Sequence, residues 1–161
     1  MISNSTSSFV ENLAKNVVMS TTCDVISHCI DSLVSIKKTS VSEKYCYDAL
    51  EIIKNQNHNI DLINAGHIAG KSIEITGTNL LHSLSYPLTG YYGISHGIAL
   101  GYFLPKISKF LGFNIDSLIK DFNIDLDNID LDFVIEEAFK YEKIKECQIN
   151  ISTQIIRELY E

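Results

Sequence analysis

Apolar residues recur three and four apart along most of the chain, the spacing of a helix with one buried face. Over residues 12–35 the stripe consists of Val25, Ile26, Cys29, Ile30, Leu33 and Val34, and it stops before Lys37 and Lys38, cations suited to a helix C-terminus. Residues 42–54 read as a shorter helix with Ser40 or Ser42 as its N-cap, followed by a polar loop over 55–59. A long helix is expected over 61–84. It carries the small residues Ala65, Gly66, Ala69, Gly70 and Gly77, and each interior glycine costs about 1 kcal/mol relative to alanine. Close approach of a neighbouring helix would offset that cost, so this helix is expected to be central and crowded. Pro87 is expected to end it, because the residue before a proline is pushed out of the helical region. Gly90 and Gly93 then mark an irregular loop, and another helix starts near Ser95 or His96 and runs toward Pro105. The stretch 114–161 is first rich in aspartate (Asp116, Asp121, Asp125, Asp127, Asp130, Asp132) and then helical from about Leu131. No segment alternates strictly between apolar and polar residues, so no sheet is expected. The fold class is all-α, a helical bundle, with 1–161 as a single domain.

Composition narrows the partners. The chain has 161 residues, enough for one substantial core, and a net charge of -7 from 20 acids and 13 bases. The one arginine is Arg157. A surface that tracks phosphates along nucleic acid or binds an anionic membrane is therefore not expected; a small molecule or a protein is. The four cysteines, Cys23, Cys29, Cys46 and Cys147, form no Cys-x-x-Cys pair and no dense scaffold, as expected of reduced thiols in the cytoplasm. The opening MISNSTSSFVENLAKN lacks the basic and apolar regions of a leader, and no stretch is long enough to span a bilayer.

Four side chains carry candidate chemistry. Asp24 and His28 are four apart and project from one helix face, where they can converge on one ion. Their face lies opposite the apolar stripe beside Ser27, Asp31 and Ser35. A solvated polar face with an Asp–His hydrogen bond is the plainer reading of that pair. His82 lies among Leu80, Leu81 and Leu84, which implies burial, and a buried imidazole needs a partner. His96 falls at or just before a helix start, and a helix N-terminus favours a neutral ring, the form that binds metal. His58 reads as a loop residue and His67 as a surface or packing residue. Three imidazoles and a carboxylate suit Fe2+ or Zn2+.

The segment TTCDVISHCIDSLVS resembles the Asp-Ala-x-x-His-Ala-x-Glu helix of the iron-containing (group III) alcohol dehydrogenases. HSLSYPLTGYYGISHGIALGYFLP resembles that family's second signature, INAGHIAGKSI its small-residue helix, and ISTQIIRELYE its closing helix. The resemblance implies the family's C-terminal helical domain, with Asp24, His28, His82 and His96 as the metal ligands. It also implies Fe2+ as the ion, with Zn2+ compatible, and an alcohol or aldehyde as substrate. The family usually has a histidine four residues after the third ligand, where it helps relay a proton. This chain has Tyr86 there, a phenol that donates and accepts a hydrogen bond but is a weaker base at neutral pH. The His-x-x-Ser-Tyr-Pro form resembles a phosphonoacetaldehyde reductase branch, which implies an aldehyde with an anionic tail.

Full-length members also carry a nucleotide-binding domain, and no glycine-rich phosphate loop follows a strand here. NAD(P) would then come only from a domain or partner chain that these residues do not supply, and catalysis by the isolated chain is not expected. The partners this implies are a nucleotide-binding domain or a homo-oligomer. Two other functions fit the same residues. One is a non-catalytic truncated paralogue that keeps the fold for oligomerisation or binding. The other is a metallohydrolase that activates water on the same ion.

Overall fold

The computed structural model describes residues 13–56, 58–119, 122 and 124–161. Positions 1–12, including residue 12 where the first helix was expected to start, lie outside them. The order is α1 (Lys15–Leu33), α2 (Ser40–Lys54), α3 (Asn59–Thr76), α4 (Leu80–Tyr92), α5 (His96–Phe110), α6 (Asp116–Ile119), α7 (Leu131–Ala138), a 3-10 turn (Glu142–Glu146) and α8 (Thr153–Tyr160). The fold is all-α, with no strand among the described residues. One isolated bridge between Ser35 and Cys147 ties the end of α1 to the 3-10 turn. Among the described residues no helix is long and apolar enough to cross a membrane.

α1 is the axis. It packs against α2, α3, α4 and α5, and its polar residues Ser27, Asp31 and Ser32 are as fully buried as Ile26 and Ile30. The expected solvated face is therefore wrong for this helix. A second layer, α4 and α5, covers it. The helical period shows which residues share a face; it does not show that both faces are covered.

The long helix expected over 61–84 is two helices. Gly77 adopts φ +69, a left-handed conformation that ends α3. Asn79 then opens α4, its side chain accepting from Leu80 N–H at 2.6 Å. Pro87 does not end a helix but sits inside α4, whose Leu80, Leu81, Leu84 and Leu88 are completely buried. Burial of that apolar face outweighs the missing backbone donor. α4 ends instead at Gly93, left-handed at φ +68, with Ile94 N–H bonded back to Leu88 O at 3.2 Å. α5 likewise continues through Pro105 to Phe110. The N-cap of α2 is Thr39, one residue earlier than expected, in a reciprocal capping box with Ser42.

Crowding falls on α5 instead of α3. A methyl group at Gly70 would meet nothing, and one at Gly66 would make an ordinary contact with Val25 at 3.5 Å. α3 is a peripheral helix with one buried face, formed by Leu62, Ala65, Ala69, Ser72 and Thr76. On α5, a methyl at Gly97 would lie 2.1 Å from the Ser20 carbonyl oxygen, and one at Gly101 would lie 2.8 Å from Cys23 Sγ. Only glycine lets α5 lie this close to α1, and His96 is the residue just before the contact.

Candidate metal centre

The layout of the helices brings the four predicted residues together. Asp24 and His28 come from the middle of α1, His82 from the first turn of α4, and His96 opens α5. Asp24 Oδ1 is the common point: it lies 3.4 Å from His28 Nε2, 3.6 Å from His82 Nε2 and 3.5 Å from His96 Nε2. Donor atoms of Asp24, His82 and His96 all fall within 4.8 Å of one another. His28 stands outside that tight triad. It is joined to it through Asp24 and by a flat stack on His82, with centroids 4.9 Å apart and an interplanar angle of 5°.

These distances are long for hydrogen bonds. Asp24 Oδ1 and His82 Nε2 are buried with no hydrogen-bond partner, although buried polar atoms are almost always paired. Donors held about 2.1 Å from one ion stand about 3.4 Å apart in a tetrahedron, which is the spacing found around Asp24. The donor set, one carboxylate and imidazole nitrogens, suits a divalent borderline ion, which displaces any proton from the nitrogen it binds. The residues present therefore fit the group.

Charge follows the same layout. Burial works against ionisation of Asp24, yet the imidazoles of His82, His96 and His28 hold its carboxyl well below the usual carboxylate range. Burial also disfavours a charged His82, but the Asp24 and Asp31 carboxylates at its two nitrogens outweigh it and raise the ring to about 9. His28 is pushed down, mainly by burial. The site opens on one side. The His82 side chain is 4% exposed, whereas those of Asp24 and His96 are 32% and 40% exposed, so a ligand can approach from the His96 side.

Two features beyond the four residues shape the site. Tyr86, one turn past His82, places its ring 6.4 Å from that of His96 and its hydroxyl 3.4 Å from Thr78 Oγ1, with Tyr141 edge-on at 5.1 Å. Asp31, expected only as part of a polar face, is completely buried beneath the site. Its carboxylate accepts from Asn79 N–H at 2.8 Å, Leu81 N–H at 2.9 Å and His82 N–H at 3.3 Å, and lies 2.9 Å from His82 Nδ1. Its position seven residues after Asp24, two turns along the same face, was the available signal. His58 caps α3 and His67 is exposed on it.

Residues 18–148 match the model of the Fe-containing alcohol dehydrogenase family, C-terminal. A long-chain-alcohol dehydrogenase of Geobacillus thermodenitrificans is 24% identical over 106 residues, which cover 59% of this chain and 27% of that protein. A 4-hydroxybutyrate dehydrogenase of Clostridium kluyveri is 25% identical over 129 residues, 71% of this chain and 35% of that protein. An iron-containing alcohol dehydrogenase from Thermotoga maritima superposes with a TM-score of 0.77 over 93% of this chain and 50% of that one, at 24% identity, and so shares the fold. The matches take in about a third or less of the curated relatives and about half of the solved chain.

Proposed function

The chain belongs to the iron-containing alcohol dehydrogenase family, in the part that is C-terminal in its relatives, and from that premise we propose that it forms the metal-holding, substrate-side half of an alcohol or aldehyde oxidoreductase. One observation carries the reading: two buried donor atoms, Asp24 Oδ1 and His82 Nε2, have no partner and lie in a cluster with ligand spacing. Asp24, His28, His82 and His96 are the proposed ligands. Bound there, Fe2+, or Zn2+ on the same donors, supplies Lewis acidity toward an alcohol or carbonyl oxygen. NAD(P) comes from a domain or partner chain outside these 161 residues.

The chain's own residues divide the remaining work. His82 is the buried anchor, and the half-exposed His96 and Asp24 leave the approach for substrate. Tyr86 is the proposed proton relay: its hydroxyl exchanges a proton with Thr78 Oγ1, 3.4 Å away, on the His96 side of the site. The single arginine is already bonded to Asp132 and Glu136, so we read the substrate as an alcohol or aldehyde without assigning an anionic tail. The Ser27, Ser32 and Ser83 hydroxyls and His28 Nδ1 are also buried without a partner, so what favours an ion over a paralogue kept only for packing is that Asp24 Oδ1 and His82 Nε2 converge, 3.6 Å apart, with His96 beside them.

Elemental analysis after anaerobic reconstitution with Fe2+ or Zn2+ tests the reading. About one ion per chain is expected, and none in His82→Ala or His96→Ala. Absence of metal from the wild-type chain would sink it. Calorimetry with NADH should give no measurable binding to this chain, and a low-micromolar dissociation constant would contradict the assignment of the nucleotide to another part.

A further inference from the structure

Asp31 does two things at once. It satisfies three backbone N–H groups at the start of α4, on Asn79, Leu81 and His82, which no helical carbonyl can reach. It also meets His82 Nδ1 at 2.9 Å from a position with no solvent exposure. A carboxylate in such a place only accepts, so the hydrogen it receives must sit on Nδ1. In a neutral ring the lone pair is then left on Nε2, the unpartnered atom 3.6 Å from Asp24 Oδ1.

We propose that Asp31 is a positioning residue for the metal centre: through His82 Nδ1 it fixes the ring tautomer and orientation that present Nε2 to an ion, and the same carboxylate locks α4 to α1. The inference rests on the metal-centre reading above. It adds a residue that touches neither ion nor substrate, and it joins the folding of a helix end to the readiness of a ligand. The placement of both carboxylates on one face of α1 explains how. Asp24 and Asp31 are two turns apart, so one helix supplies both the carboxylate that faces the ion and the carboxylate that aims His82 at it.

The sharpest variant is Asp31→Asn, which keeps the shape of the side chain. The oxygen that meets Nδ1 also accepts from Asn79 and His82 N–H, while the other accepts from Leu81 N–H alone. The amide nitrogen must therefore face donors. Turned toward Nδ1 it offers a hydrogen where the carboxylate accepted one and drives the proton to Nε2. Turned toward Leu81 it leaves Nδ1 an uncharged acceptor, so the hold on the ring loses its charge assistance. Zinc affinity, measured by competition with a chromophoric chelator, should fall about 10- to 100-fold, the usual cost of losing such an outer partner. Asn79→Ala is the control for helix capping alone: it removes the bonds to Asp31 O at 2.7 Å and to Leu80 N–H but leaves Nδ1 untouched. It should lower the melting temperature yet hold zinc affinity within about threefold of wild type, a shift under about 0.7 kcal/mol.

Long-range proton–nitrogen NMR of the imidazoles gives a readout that a merely structural role would not move. In wild type the proton should be on Nδ1 with zinc on Nε2, and likewise in metal-free protein above pH about 9, where His82 is neutral. In Asp31→Asn it should move to Nε2, or stay on Nδ1 with the upfield shift of a hydrogen held by an uncharged acceptor. If the asparagine variant keeps wild-type affinity and tautomer, or if Asn79→Ala loses zinc as badly, Asp31 does not position the ligand. Should Asp31→Asn fail to fold, the wild-type tautomer decides: a proton on Nε2, or zinc on Nδ1, overturns the proposal. The metal-free tautomer is read independently of metal binding. A wild type that binds no zinc would end the metal-centre reading while still deciding whether Asp31 sets the ring.

Discussion

α1 meets its neighbours in two ways. On the α3 side the contact is largely apolar and has slack: a methyl at Gly66 would meet Val25 at ordinary van der Waals distance, and one at Gly70 would meet nothing. On the α4 and α5 side there is none. The Ser20 carbonyl lies against Gly97 where no side chain fits, and Asp31 is bonded to the first residues of α4. The first seam needs only the right amount of buried apolar surface, and many side-chain arrangements provide that. The second holds donor atoms at set distances around Asp24, and close backbone approach with a buried charge-assisted network leaves few alternatives. The closest packing among the described residues lies beside the candidate donors.

Forcing slack into the tight seam should have the largest effect. Gly97→Ala puts a methyl 2.1 Å from a backbone oxygen, so α5 must move off α1 and carry His96 with it. A loss of about 3 kcal/mol is expected from overpacking of this severity, seen as a drop of roughly 6–12 °C in melting temperature for a chain of this size, together with loss of metal binding. A wild-type melting curve with full metal content would remove the distinction between the seams.

Metal removal probes the same contrast more gently. His28, His82 and His96 sit on three helices, so an ion joining them acts as a crosslink and chelation should lower the melting temperature. Hydrogen exchange should speed up in residues 88–97, which connect α4 to α5, and change little in residues 65–76 of α3. Equal acceleration in both segments would mean that the ion stabilises the whole fold and not the corner. The smallest effect belongs to the loose seam. Gly70→Ala meets no neighbour, so it should gain up to about 1 kcal/mol of helix propensity. A loss of stability there would show a contact that the apolar seam was not thought to have.

Much of the architecture could be read from periodicity: the all-α class, the helix through Val25 to Val34, the start of α5 at His96 and the return to helix at Leu131. The misreadings share a cause. Gly77 looked like one more small residue in a long helix because its left-handed φ leaves no mark in an apolar pattern. Pro87 and Pro105 looked like ends because local sterics oppose a proline inside a helix, and only burial of α4 and α5 against α1 reverses that preference. Ser27 and Asp31 looked solvated because the second layer that covers them arrives from residues about fifty positions later.

By itself the sequence determined which residues share a face and which chemistry they carry. Five helical stretches and a spacing of four between Asp24 and His28 follow from local geometry, and the candidate donor types from side-chain chemistry. Tertiary structure alone decided that the donors of Asp24, His82 and His96 meet within 4.8 Å, that α5 is the helix pressed against α1, and that Asp31 lies beneath His82. Those outcomes depend on contacts between residues about fifty or more positions apart, and a repeat of three to four residues carries no information at that range.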